Sequence, residues 1–309
     1  MQPISDLLTD RKRLKSQLSL WRAVALLAVF GGMAIVFGNF PHKPGIGPKH
    51  DYIAQITIEG MMVDDPERDA LMESLRNDKY AKAVLVRFDS PGGTTVGGEE
   101  IYLQLRAIAK NKPVVGVMHT LCASACYMAA LATDHVIARE TTLTGSMGVL
   151  LQSFEISRLA DKIGVTPITV KSGAYKDVPD LGEPFTPLQR QVVSEVVMDA
   201  YEQFVAMIVE RRKMPVAQVR ELADGRVYTG RRALNLRLID GIGGNAEALA
   251  WLAATHKINP DLELRDVTPK PEFESLLDKL SQYAGIKIFG RNTVGLDGLL
   301  SIWHPSAIQ

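Results

Sequence analysis

The chain carries two cysteines in 309 residues, Cys122 and Cys126. Two cysteines alone cannot close a structural zinc site. On a single helix, a spacing of four would set them side by side but poorly aimed for a disulfide, so two small buried core residues are expected. The compartment must then be read from other features. No histidine or carboxylate cluster has metal-ligating spacing, so a metal site is not expected, and no cofactor is implied. Charge is balanced, with 35 basic and 35 acidic residues, and nothing points to nucleic acid as a partner. There is no internal repeat.

The one charge asymmetry is N-terminal. Arg11, Lys12, Arg13, Lys15 and Arg22 precede an uncharged apolar run, Ala23 to Phe40. As a helix, that run would rise roughly 27 Å at ~1.5 Å per residue, close to the ~30 Å hydrocarbon core of a bilayer. Only Lys43 and Lys49 follow closely, so the basic flank predicts a cytoplasmic N-terminus, a single transmembrane signal-anchor helix over 23–40, and a domain outside the cytoplasm. A cleaved signal peptide fits less well, because no Ala-x-Ala site ends the run. Residues 1–22 are then a cytoplasmic segment, and the Pro-, Gly-, Lys- and His-rich stretch 41–51 reads as a linker.

The folded domain is expected from Tyr52. Ile53, Ile56 and Ile58 open a strand, and Ala83 to Phe88 is a near-continuous apolar run of the buried parallel kind. Ile101, Leu103, Leu105 and Ile108 suggest a helix. Strands are expected over Val114 to Met118 and His135 to Ala138, and a long amphipathic helix over Pro187 to Lys213. In that helix Val192, Val193, Val196, Val197, Ala200, Phe204 and Ile208 are predicted to face the core. Thr229 should cap a helix through Ala233 that ends before Asp240-Gly241. Strands alternating with helices imply an α/β parallel sheet. Residues 261–309 form a C-terminal extension with no assigned role, including an amphipathic stretch from Phe273 to Tyr283.

Chemistry concentrates at four places: Asp89-Ser90-Pro91-Gly92-Gly93, Ala123-Ser124-Ala125-Cys126-Tyr127, Thr144-Gly145-Ser146-Met147-Gly148 and Ser172-Gly173-Ala174-Tyr175-Lys176. A serine hydroxyl needs a base within hydrogen-bond reach, and a desolvated lysine can serve. In their order and approximate spacing these segments resemble the S49 family of serine peptidases, in its short, single-repeat form. The resemblance runs from about Tyr52 to Gly244, with a peptidase domain placed over 52–260. The departure is Ala125-Cys126, where the family usually has a glycine pair.

The resemblance implies a Clp/crotonase-like ββα spiral, with Ser124 as nucleophile, Lys176 as base, Ser146 in support and Gly92 in the strand-end turn. The backbone amides of Gly93 and Ala125 are the oxyanion-hole candidates. It also implies a bacterial inner-membrane endopeptidase acting on residual signal peptides or other apolar peptides. A homo-oligomeric ring is expected, with Ser124 of one subunit meeting Lys176 of its neighbour. A related S49 peptidase specific for one membrane protein, and a non-catalytic membrane scaffold, are the alternatives. A crotonase-type acyl-CoA enzyme is disfavoured, since it needs no serine-lysine pair. His119, His135 and Lys171 are rival bases by position only.

Overall fold

The computed structural model describes residues 17–18, 20–26, 50–269 and 300–302. The chain divides into two compact units, Met1–Gly47 and Pro48–Gln309. In the first, residues 17–18 and 20–26 are helical, with Trp21 and the neighbouring leucines exposed. Of the expected span 23–40, residues 27–40 lie outside the described residues, as do 41–49 of the linker and the stretch from Phe273 to Tyr283. Among the described residues no helix is long and apolar enough to cross a membrane.

The second unit starts with β1 (Tyr52–Met62), α1 (Pro66–Asn77), β2 (Ala81–Thr94), α2 (Thr95–Ala109), β3 (Val114–Ala123), α3 (Ala125–Ala130) and β4 (His135–Ala138). There follow β5 (Leu143–Gly145), α4 (Ser157–Lys162), α5 (Pro187–Arg212), α6 (Val216–Leu222), β6 (Val227–Thr229) and α7 (Gly230–Asn235). The last elements are β7 (Gly241–Ile242), α8 (Asn245–His256), β8 (Glu263–Asp266) and β9 (Leu300–Ile302). Among the described residues nine strands make one sheet, in the order β6-β5-β3-β2-β1-β8, with β4 between β3 and β7 and with β9 on β2. Pairing is parallel except at β5/β6 and β2/β9. The sheet continues past Pro260, because β8 pairs with Tyr52 to Gln55 of β1.

Alternation along the strands divides the core. Ile53, Ala83, Leu85, Val115, Val117 and Ile137 face α8, where Ala248 and Leu252 meet them. The intervening residues Ala54, Ile56, Val84, Val86, Phe88 and Met118 face the larger core built with α2, α3 and α5. Burying each large aliphatic or aromatic side chain contributes about 1.5–3 kcal/mol, so this two-faced burial is the main stabilising term. Local signals fix the helix starts. Asp65 accepts from the amides of Glu67 and Arg68, Thr94 accepts from Gly97, and Thr186 forms a capping box with Gln189 ahead of Pro187. Thr229 likewise caps α7 through the amide of Arg232.

Two expectations about core faces need correction. In α5 only Phe204, Val205 and Ile208 are buried, whereas Val196 is 50% exposed and Val192, Val193, Val197 and Ala200 are partly so. At ~1.5 Å per residue, 26 residues rise about 39 Å. The first half of the helix finds no core to enter. In α2, Leu103 is 53% exposed while Ile101, Tyr102, Leu105 and Ile108 are buried, because residue 103 points away from the sheet.

Candidate active site

β3 ends at Ala123 and α3 begins at Ala125, so Ser124 is the entire connection. It stands at φ 61°, ψ −123°. A residue with a Cβ is strained at such angles by about 1–3 kcal/mol. Its amide donates to the Gly145 carbonyl at 2.7 Å, and its carbonyl accepts from the Met128 amide at 3.0 Å. Ser146 also has positive φ, 48°, and its amide donates to the Arg226 carbonyl at 2.8 Å. Ala123 and Gly145 pair in parallel register, so Ser124 and Ser146 are each one step beyond the last pair, on strands about 4.8 Å apart. Both are buried. A serine on a strained strand-to-helix turn is the backbone arrangement of a nucleophile elbow.

Cys122 and Cys126 are bonded to each other, which corrects the expectation of two separate core thiols. They do not share a helix. One ends a strand and the other lies in the first turn of α3, and the reversal at Ser124 brings their Cα atoms to 5.1 Å, within disulfide range. Both are fully buried, as expected.

The glycine strand runs alongside. β2 pairs with β3 as far as Ser90 opposite Cys122. The Ser90 hydroxyl donates to the Gly60 carbonyl at 2.5 Å and accepts from the Gly92 amide at 3.0 Å. The Asp89 carboxylate accepts from the Leu121 amide at 3.2 Å, tying this turn to β3. Gly92 sits at φ 106°, a backbone conformation that favours glycine, and a Cβ on Gly93 would lie 1.9 Å from the Met62 carbonyl oxygen of β1, so position 93 has no room for another residue. Beyond Ser90, β3 parts from β2 while it stays paired with β5 to Ala123. Since β1 holds one edge of Gly92-Gly93, the other edge is the slot β3 vacates at Ser124. There Gly92, Gly93 and Thr94 pair antiparallel with Ile302, Ser301 and Leu300 of β9. No sequence signal foretold this pairing of a C-terminal segment with the glycine strand.

Lys176 lies on the arm between β5 and α5, in a turn where its amide donates to the Gly173 carbonyl at 3.1 Å. It is exposed, and its side chain makes no hydrogen bond or ion pair among the described residues. The arm also exposes Phe154, Ile163, Ile168 and Val170, the last two at 91% and 97%. The rival bases fare differently. Lys171 is paired with Glu183 at 2.9 Å and Asp180 at 3.3 Å, and its hydrogen bond to Glu183 raises its pKa, holding it protonated. His135 starts β4 opposite Val115, roughly 26 Å along the strand direction from Ala123, and it stacks on Trp251 with ring centroids 4.7 Å apart. His119 is part-way down β3, where burial lowers its pKa.

The class is α/β with a mostly parallel sheet, and its candidate site gathers where strands end. The model of Peptidase family S49 matches residues 106–259. A Synechocystis protein provisionally named a protease is 36% identical over 223 residues, covering 71% of this chain and 80% of its own. An Enterococcus faecium protein provisionally named signal peptide peptidase SppA is 30% identical, covering 78% and 75%. The chloroplastic serine protease SPPA of Arabidopsis thaliana is 33% identical over 74% of this chain and 33% of its own. The chain therefore belongs to peptidase family S49 and is SppA-like, as its motifs led one to expect. Among solved structures, a ClpP1 mutant from Listeria monocytogenes covers 62% of this chain and 92% of its own, at 14% identity and a TM-score of 0.43.

Proposed function

We propose that this protein is a membrane-anchored serine endopeptidase that hydrolyses residual signal peptides, with Ser124 and Lys176 as its dyad. The observation that carries the reading is the slot beside Gly92-Gly93-Thr94. It accepts an extended segment by antiparallel pairing, and it opens where the strained Ser124 turn leaves the sheet. A peptide held there by main-chain hydrogen bonds would present its carbonyls to that turn. This reading takes the fold to be the Clp/crotonase-like spiral.

In the proposed reaction Lys176 Nζ takes the Ser124 hydroxyl proton as Oγ attacks the scissile carbonyl. The tetrahedral oxyanion is received by the amides of Gly93 and Ala125. Collapse breaks the C–N bond, and the proton on Lys176 passes to the leaving amine. Water, activated by the same lysine, then hydrolyses the acyl-serine. Ser146 aims the amine.

Lys176 and Ser124 would come from neighbouring copies in a ring. The exposed apolar residues of the arm, and Leu188 and Val196 on the unpacked half of α5, support a second copy as what covers them. The purified full chain in detergent is expected to cleave a panel of signal peptides and to take one fluorophosphonate label on Ser124. Absence of both cleavage and label would overturn the reading.

The basic flank before Ala23 places the peptidase unit outside the cytoplasm. Alkaline phosphatase fused after Asp51 is then expected to be active. An inactive fusion, with an active cytoplasmic reporter at the same site, would reverse the topology.

A further inference from the structure

We propose that the Cys122–Cys126 disulfide is a positioning brace: it holds the Ser124 turn and the Ala125 amide in their reactive geometry, so the peptidase turns over in its oxidised form and slows when the bond is reduced. The inference rests on the assignment of Ser124 as nucleophile. The bond spans the strand-to-helix turn, joining residues two before and two after Ser124.

The two ends of the brace are held unequally. Cys122 pairs with Ser90 on one side and Thr144 on the other, and its carbonyl accepts from the Thr144 hydroxyl at 2.7 Å. That strand cannot yield without breaking the sheet. Cys126 lies on a six-residue helix whose hold is tertiary: all six residues are buried and the Tyr127 hydroxyl donates to the Leu238 carbonyl at 2.8 Å, with the disulfide as the covalent tie at its first turn. Strain sits between them, at the φ of 61° on Ser124. Relaxing that angle is favourable once nothing opposes it.

Breaking the bond removes the covalent tie between β3 and α3 where Cys122, Ala123, Ala125 and Cys126 are all fully buried. Gly98 of α2 lies against Ala125, so close that a Cβ at 98 would come within 2.9 Å of the Ala125 Cβ. A shift of the first turn of α3 would carry the Ala125 amide with it. Misplacing a reacting group by about 1 Å can lower the rate ~100-fold. Reduction is a thiol–disulfide exchange: a dithiol supplies two electrons and two protons, the Cys122–Cys126 bond becomes two thiols, and the dithiol closes to its own disulfide.

The experiment is clean because the chain has two cysteines and both are in this bond. The full-length protein in detergent is assayed as isolated, after dithiothreitol treatment until both thiols titrate, and after reoxidation. Reduction is expected to lower kcat about tenfold to a hundredfold with KM within about twofold, and reoxidation to restore it. The double variant Cys122→Ser/Cys126→Ser should match the reduced enzyme and ignore the dithiol. Amide hydrogen exchange over residues 122–130 should quicken about tenfold on reduction, with β1 and β2 unchanged. Two free thiols in the isolated protein, a reduced enzyme with kcat within twofold, or unchanged exchange would each overturn the brace. Absence of both cleavage and fluorophosphonate labelling in the oxidised protein would instead overturn the Ser124 assignment, and exchange would still decide the brace.

Discussion

Replacing Ser124 by alanine is expected to lower kcat by about three to six orders of magnitude, the range seen when a serine peptidase loses its nucleophile. That corresponds to roughly 4–8 kcal/mol of transition-state stabilisation. The fold should survive, because alanine at φ 61° is strained much as serine is and no large side chain is removed from the core. Glycine at the same position should be as inactive yet raise the melting temperature, since it adopts positive φ without penalty. Steady-state hydrolysis of a signal peptide, with melting curves on the three proteins, checks both halves. An alanine variant retaining a tenth of the wild-type rate would remove Ser124 from the chemistry.

Lys176→Ala and Lys176→Arg are each expected to abolish hydrolysis, because arginine stays protonated and cannot accept the serine proton. Lys171→Arg should remain active, its salt bridges to Asp180 and Glu183 being within reach of a guanidinium. The larger effect comes on mixing. If one copy supplies Ser124 and its neighbour Lys176, Ser124→Ala and Lys176→Ala chains refolded together at equal amounts leave about a quarter of the sites complete by random assortment around a ring. Two dead proteins should then yield about a quarter of the wild-type rate. Mixed oligomers, verified by differential tags, that stay as inactive as either parent would put the dyad within one chain.

Legibility in the sequence followed the range of the interaction. The buried strands were readable because β-branched and aliphatic runs such as Ala83 to Phe88 and Val114 to Met118 carry their own pattern, and Thr186-Pro187 and Thr229 mark helix starts through bonds made within one turn. The cysteine pair was misread because the reading assumed a single helix, and one residue at positive φ turned the spacing of four into a bonding distance. The core face of α5 was overextended because periodicity records which residues are apolar and not how much of that face other elements cover.

The sequence by itself determined the α/β class, the order of the four motif segments, and the glycines at 92 and 93. Each of those follows from side-chain size, backbone freedom or hydrophobic period, which are properties of short stretches. Only the tertiary structure decided that β3 parts from β2 before Ser124, that β9 pairs with β2 at Gly92 to Thr94, and that Cys122 and Cys126 bridge the turn. It also left Lys176 exposed on an apolar arm of the single chain. These features depend on which distant segments pack together, and contacts between distant segments leave no mark on local composition.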